Sequence, residues 1–300
     1  MTKLQNVLLA IFACVLWSTA FVGVKYGLQF ARPFGFAGMR FMLSGLLLLP
    51  FCGSLGSYIK TFRTHFLSIC LISVFQTFLL YAFFYVGMTM VSGALAAIVI
   101  GASPLTVAVT SHYVQTNDRM TPGKLFSLLL GLVGVIVISL SRQPWHAQGL
   151  RQFTGVIILL GAGVSSAVGN IAVARERYRI DPIKLNSMQI FLGGFFLFIL
   201  SLCIEGLPHM DFPPLFYAAL GYLAVLSAIA FSIWFGLLKQ STMKVSELNL
   251  WKFIIPVCGA LLSWAFLPGE SPEVFAIVGM MCVTCAILFY HIAAMRQVRS

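Results

Sequence analysis

The chain has 300 residues, 60% of them hydrophobic and only 9% charged, with a mean hydropathy of +0.97. Soluble domains carry roughly a quarter charged residues, so the composition excludes one and points to a polytopic membrane protein. A formal net charge of +11 raises nucleic acid as a partner, but the placement of the basic residues, set out below, argues for a membrane orientation signal instead.

A bilayer core needs about 20 apolar residues per helix. Runs of that length recur over 7–27, 34–51, 66–87, 92–112, 124–140, 154–174, 186–204, 215–237, 246–267 and 273–292, which predicts ten spans joined by short loops. The first holds Trp17, Ser18 and Thr19, with Lys25 near its far end. It follows Lys3 but is too long for the apolar core of a signal peptide, so it is expected to be retained. In the second, Arg40 lies roughly 9 Å past the helix start, and its long side chain is expected to snorkel to the interface. The third carries Gln76 and a stripe of Thr77, Tyr81 and Tyr85 at every fourth residue, which suits cavity lining and helix contact alike. The fourth has small residues for close packing, Pro104 in its middle, and Ser103, Thr106 and Thr110 along one face.

The polar stretch SRQPWHAQGLRQF separates two halves. Beyond it, Gly161, Gly163 and Ala167 form a loose GxGxxA, but no βαβ pattern surrounds it and helix packing explains it. Asn170, one turn beyond Ser166, is an amide at helix depth; Gln189, Ser227 and Trp234 follow in the next two spans. The ninth, SELNLWKFIIPVCGALLSWAFL, is apolar enough to span yet holds Glu247, Asn249, Trp251 and Lys252 and is interrupted by Pro256. On one continuous helix Ser246, Asn249, Lys252 and Pro256 share a face, and the proline frees the Lys252 carbonyl four residues back. All seven cysteines sit in or at the edge of apolar spans, so neither a disulfide framework nor a metal site is expected, and no cofactor.

With a cytoplasmic N-terminus, the cytoplasmic segments hold Lys3, Lys60, Arg63, Arg119, Lys124, Arg175, Arg177, Arg179, Lys184, Lys239, Lys244, Arg296 and Arg299. The opposite side holds only Lys25, Arg32, Arg142 and Arg151. The positive-inside rule therefore predicts a multi-pass protein of the cell (cytoplasmic) membrane with both termini inside.

The two halves match each other. Pro33 and Pro182 are 149 residues apart, as are Gly45 and Gly194, and Arg40 with Gln189. Pro104 and Pro256 are 152 apart, as are Asp118 and Glu270. Five spans per half is an odd number, so the second copy enters from the opposite face, the inverted repeat from which alternating-access carriers are built. The expected organisation is 1–141 and 154–293 as five-helix repeats, a connecting loop at 142–153 and a tail at 294–300.

On these residues the chain resembles a known family. LWSTAFVGVKYGLQFARPFGFAGMRFMLSGLLLL, YAFFYVGMTMVSGALAAIVIGASPLTVAV, the following D-R-M-T-P loop and GLVGVIVI look like the EamA repeat of the drug/metabolite transporter superfamily. The second copy carries the family's proline at Pro256 and its G-E loop at Gly269-Glu270. Asn117-Asp118 stands in place of that G-E in the first copy, and Lys252 occupies a commonly apolar position. The resemblance implies an all-α, ten-helix carrier exporting amino acids or other small metabolites.

The expected function is thus alternating-access transport of a zwitterionic or anionic metabolite, monomeric or homodimeric, with the lipid bilayer as its setting. Lys252 facing a cavity would take a carboxylate; Trp17, Tyr81, Tyr85, Trp234 and Trp251 would offer aromatic surface, and Asn170 and Asn249 would orient the substrate. Among the chain's few acids none lies at mid-helix, so coupling to protons would have to use Glu247, His112 or Lys252; a facilitator or exchanger fits as well. Multidrug efflux is the alternative within transport, where the aromatics serve but Lys252 opposes cationic drugs. A membrane enzyme or receptor-like scaffold is the alternative from another class, and neither a catalytic constellation nor a soluble domain supports it.

Overall fold

In the computed structural model the described residues are 2–91, 99–115, 118–140, 149–176, 178–207, 211–240, 244–266 and 274–299, and they are helical with no strand among them. The Gly269-Glu270 loop, Asn117, Arg142, Arg177 and the first part of the fourth expected span lie outside them. Among the described residues six runs are long and apolar enough to cross a membrane: Lys3–Ala20, Pro33–Phe51, Phe66–Met88, Leu150–Arg175, Pro182–Ile204 and Pro214–Lys239. Pro122–Val137 and Ile277–Tyr290 are shorter apolar helices.

Helix α1 (Lys3–Gly27) starts at a capping box in which Thr2 and Gln5 satisfy each other's backbone N–H groups. Proline opens α2 (Pro33–Leu47), where its missing N–H costs nothing. The other N–H groups at that end are satisfied from a distant loop: Phe34 and Gly35 donate to the Glu205 carboxylate at 3.0 and 2.9 Å. Next comes α3 (Leu55–Thr64), capped by Ser54, in a stretch the hydropathy reading leaves as a loop. Its apolar residues Leu55 and Ile59 lie on one side of a short charged helix, too few to register as a span. The third run is segmented into α4 (Phe66–Ile72), a π-helical turn (Ser73–Leu79) and α5 (Leu80–Met88). The remaining helices are α6 (Ser103–Val114), α7 (Pro122–Leu140), α8 (Gly149–Arg175), α9 (Pro182–Ile204), α10 (Pro214–Lys239), α11 (Val245–Leu250), α12 (Ile254–Phe266) and α13 (Val274–Arg299).

The chain packs as two compact units, Met1–Tyr85 with Val168–Met243, and Val86–Ala167 with Lys244–Ser300. Each unit draws helices from both halves of the sequence. In the first, α2 and α9 lie backbone to backbone. A Cβ on Gly45 would stand 2.8 Å from the Ser187 carbonyl oxygen, and one on Gly194 would stand 2.7 Å from the Met42 nitrogen. Small residues permit such approach where the apolar effect between helices is weak, and Ser187 secures it by donating to the Gly45 carbonyl at 2.8 Å. Phe36, Phe216 and Leu223 form a sealed cluster joining α2 to α10. In the second unit α7 packs on α13, with Gly134 against the Gly279 carbonyl.

Candidate functional site

The first unit gathers five of the sequence-predicted site residues: Trp17, Tyr81, Tyr85, Asn170 and Trp234. Trp17 meets Trp234 edge to face with ring centroids 5.0 Å apart, and the Trp234 indole N–H donates to Asn170 Oδ1 at 2.9 Å. Asn170 and Trp234 are both fully buried, so the amide reaches a ring rather than an open surface, whereas Trp17 stays half-buried.

The π-helical turn decides what the third run presents. A π turn holds more residues than an α turn, so the register slips across it and a regular stripe is split. Thr77 points to α9, donating to Gln189 Oε1 at 2.8 Å. Gln189 donates on to Asn186 at 3.0 Å, and Asn186 to Ser232 at 2.9 Å. This buried polar relay ties the turn to α9 and α10. Tyr81 and Tyr85 turn instead toward α2: Tyr81 lies 4.5 Å from the Phe41 ring and Tyr85 6.2 Å from Phe34.

Between these rings sits Arg40. The expectation that it snorkels to the interface is corrected: it is 4% exposed, with its guanidinium carbon 4.1 Å from the Phe41 centroid and 5.5 Å from that of Tyr81. Its charge also acts on the phenols of Tyr81 and Tyr85. Nε has no partner, and among the described residues Arg40 forms no ion pair. A desolvated cation is costly by several kcal/mol, and two cation–π contacts return about 2 kcal/mol each.

The second unit holds the other predicted residues. The span expected over 246–267, with its break at Pro256, is interrupted just ahead of that proline: α11 ends at Leu250, Trp251–Phe253 form a 3-10 turn, and α12 restarts at Ile254. Pro256 has no N–H for the Lys252 carbonyl and crowds it, which is why the tightened turn falls there. The changed register breaks the shared face of Ser246, Asn249, Lys252 and Pro256. Asn249 is fully buried and donates to the Val245 carbonyl at 2.9 Å. Trp251 is 8% exposed and Lys252 half-buried. Pro104 stands second in α6, just after the turn at Ala102. His112 Nδ1 accepts the Met120 N–H at 3.0 Å and so pins the following loop.

That loop ends in a clamp that sequence reasoning missed. Lys124 donates to Asp118 at 2.6 Å, with the two side chains 6% and 1% exposed. The same carboxylate accepts the Ser246 hydroxyl at 2.5 Å and the Ser246 N–H at 2.9 Å. Burial pushes the Asp118 carboxyl up, but Lys124 and the two Ser246 donors outweigh it and hold it below the ordinary carboxylate value. Glu247 is 8% exposed and within electrostatic reach of Lys124 and Tyr290. The offset between Asp118 and Glu270 marks Asp118 in the sequence; its bond to Ser246, 128 residues away, leaves no local trace. Among the described residues no group of side chains could hold a metal ion.

A model of the EamA-like transporter family matches residues 4–140 and again 153–291. The uncharacterized transporter YvbV of Bacillus subtilis is 24% identical over 98% of this chain and 94% of its own length. The S-adenosylmethionine/S-adenosylhomocysteine transporter of Chlamydia trachomatis serovar L2 is 26% identical over 92% of this chain and 86% of its own. One solved crystal structure shares the fold at a TM-score of 0.82 and 17% identity, covering 100% of both chains.

Proposed function

Because this chain belongs to the EamA-like transporter family, we propose that it carries a zwitterionic or anionic metabolite built on an amino acid, by alternating access and with export as its direction. Small-metabolite transport is the work of the family and of its named relatives. The observation that carries the finer reading is the alignment, over 92% of the chain, with a relative named for two adenosyl amino acids.

The same proposal includes ten helices in two inverted five-helix repeats, 1–141 and 154–293. The double family match over 4–140 and 153–291 supports it, as does the reciprocal packing of Gly45 and Gly194 on each other's helices. The distribution of basic residues supports a cell-membrane location with both ends cytoplasmic. Lys252 and Asn249, beside the turn at Pro256, are proposed to contribute to recognition in the second unit, and Trp17, Tyr81 and Tyr85 in the first.

Counterflow in proteoliposomes tests the reading. Liposomes preloaded with unlabelled amino acids or S-adenosylhomocysteine are expected to accumulate the labelled compound only when the protein is present. An inward-acid pH gradient that leaves the rate unchanged would indicate exchange or facilitation. Lys252→Ala is expected to weaken uptake about tenfold if its ammonium meets the substrate; unchanged uptake would remove Lys252 from the site.

A further inference from the structure

Among the described residues, the cation that the fold holds most completely inside the protein is the one sequence reasoning assigned to the interface. Arg40 stands in the middle of α2, about 10 Å from the helix start, in a run apolar enough to span a bilayer. Two ring faces cover its guanidinium plane, Phe41 at 4.1 Å and Tyr81 at 5.5 Å. Stacking of this kind covers the face and leaves the N–H edge for an in-plane acceptor. On that edge Nε is buried and unbonded, and one turn along the same helix face the Ser44 hydroxyl is also buried with no partner. Tyr85 adds a phenol within electrostatic reach of Arg40.

No acid of this unit answers the charge among the described residues. Glu205, which acts on the same Tyr85, is already engaged: it accepts from Phe34 and Gly35 and from the Ser201 hydroxyl at 2.8 Å. A buried cation with unmet donors calls for an anion, and in a carrier the group that comes and goes is the cargo.

We propose that Arg40 is the anion anchor of this carrier, taking the substrate carboxylate on its guanidinium edge with Ser44 as a neighbouring donor and Tyr81 and Tyr85 as the aromatic wall. This rests on the transport reading and names the group that selects within it. Arg40 then serves specificity, and the carboxylate rather than the side chain of the metabolite is what the first unit reads.

The test compares acids with analogues in which the carboxylate is replaced by an amide or removed, on the purified full chain. Thermal shifts are measured with L-methionine against L-methioninamide, L-phenylalanine against L-phenylalaninamide, and S-adenosylhomocysteine against methylthioadenosine. The wild type is expected to prefer at least one acid on the order of tenfold or more, and R40Q to lose that preference. Lys252→Ala is run alongside, and R40K, which keeps the charge but not the fork, is expected to fall between wild type and R40Q. A wild type that treats every acid and its partner alike, by binding both or neither, overturns the anchor, and so does a preference that survives in folded R40Q. Should R40Q fail to fold, R40K decides: a reduced preference supports the anchor and an unchanged one overturns it. Counterflow separates the two readings. A preference intact in binding but with no flux of any compound sinks transport and spares the anchor; amides carried as fast as acids do the reverse.

Discussion

Arg40 and Asp118 are both buried charges, and they differ in what satisfies them. Asp118 has three donors, from Lys124 and Ser246, whereas Arg40 has two ring contacts and an unbonded Nε. Removing one partner of a buried pair strands the other, so Asp118→Asn is expected to cost about 3–5 kcal/mol in thermal unfolding. The double variant Asp118→Asn/Lys124→Met should recover part of that loss, because no bare ammonium remains. The pH dependence has a definite sign. A carboxyl held below its ordinary value contributes its full stability at neutral pH and above its unfolded value, about 4, and loses it as pH falls through the lower folded value. Unfolding followed from pH 7 down to about 3 should show this acid-side loss in the wild type and not in Asp118→Asn.

At the scale of elements, helix interruptions and glycine contacts are separable by substitution. Pro256→Ala restores an N–H to the Lys252 carbonyl and is expected to regularise the turn at Trp251–Phe253. Its expected outcome is unchanged or raised thermal stability with counterflow slowed about tenfold, if the turn moves during the cycle. A stable variant with full turnover would assign the proline to packing alone. Gly194→Ala puts a methyl group 2.7 Å from the Met42 nitrogen, a backbone atom that cannot rotate away, and is expected to destabilise by about 1–3 kcal/mol. Gly236→Ala meets nothing within 4 Å in a helix interior and should be neutral or stabilising by about 0.5–1 kcal/mol. Thermal unfolding in detergent of the two variants side by side checks the pair. These costs are invisible in the sequence, where both glycines sit in equally apolar runs.

At the scale of the whole molecule, the orientation proposal is testable without any substrate. A cysteine at position 3 is expected to react with an impermeant maleimide only from the cytoplasmic side, and one at Arg32 only from the other, in a background without native cysteines. Labelling of both from the same side would refute the charge-based topology, since one span lies between them.

Composition and period were enough for what depends on one-dimensional pattern. Apolar length marks the six described runs able to cross a membrane, because backbone in lipid must bond within its own helix, and Pro104 and Pro256 follow closely on turns at Ala102 and Trp251–Phe253. Other features depend on contacts between distant segments. The small helix Leu55–Thr64 has too short an apolar face to announce itself. The π turn that sends Thr77 one way and Tyr81 another comes from local backbone geometry without a residue signature. The interleaving of helices from both halves into each packing unit is likewise absent from any linear pattern. Sequence alone established a chain of apolar runs suited to a membrane, since hydropathy is a property of the chain itself. Only the tertiary structure decided that Arg40 is enclosed by Phe41 and Tyr81, because desolvation depends on what packs around a charge and not on its depth along a helix.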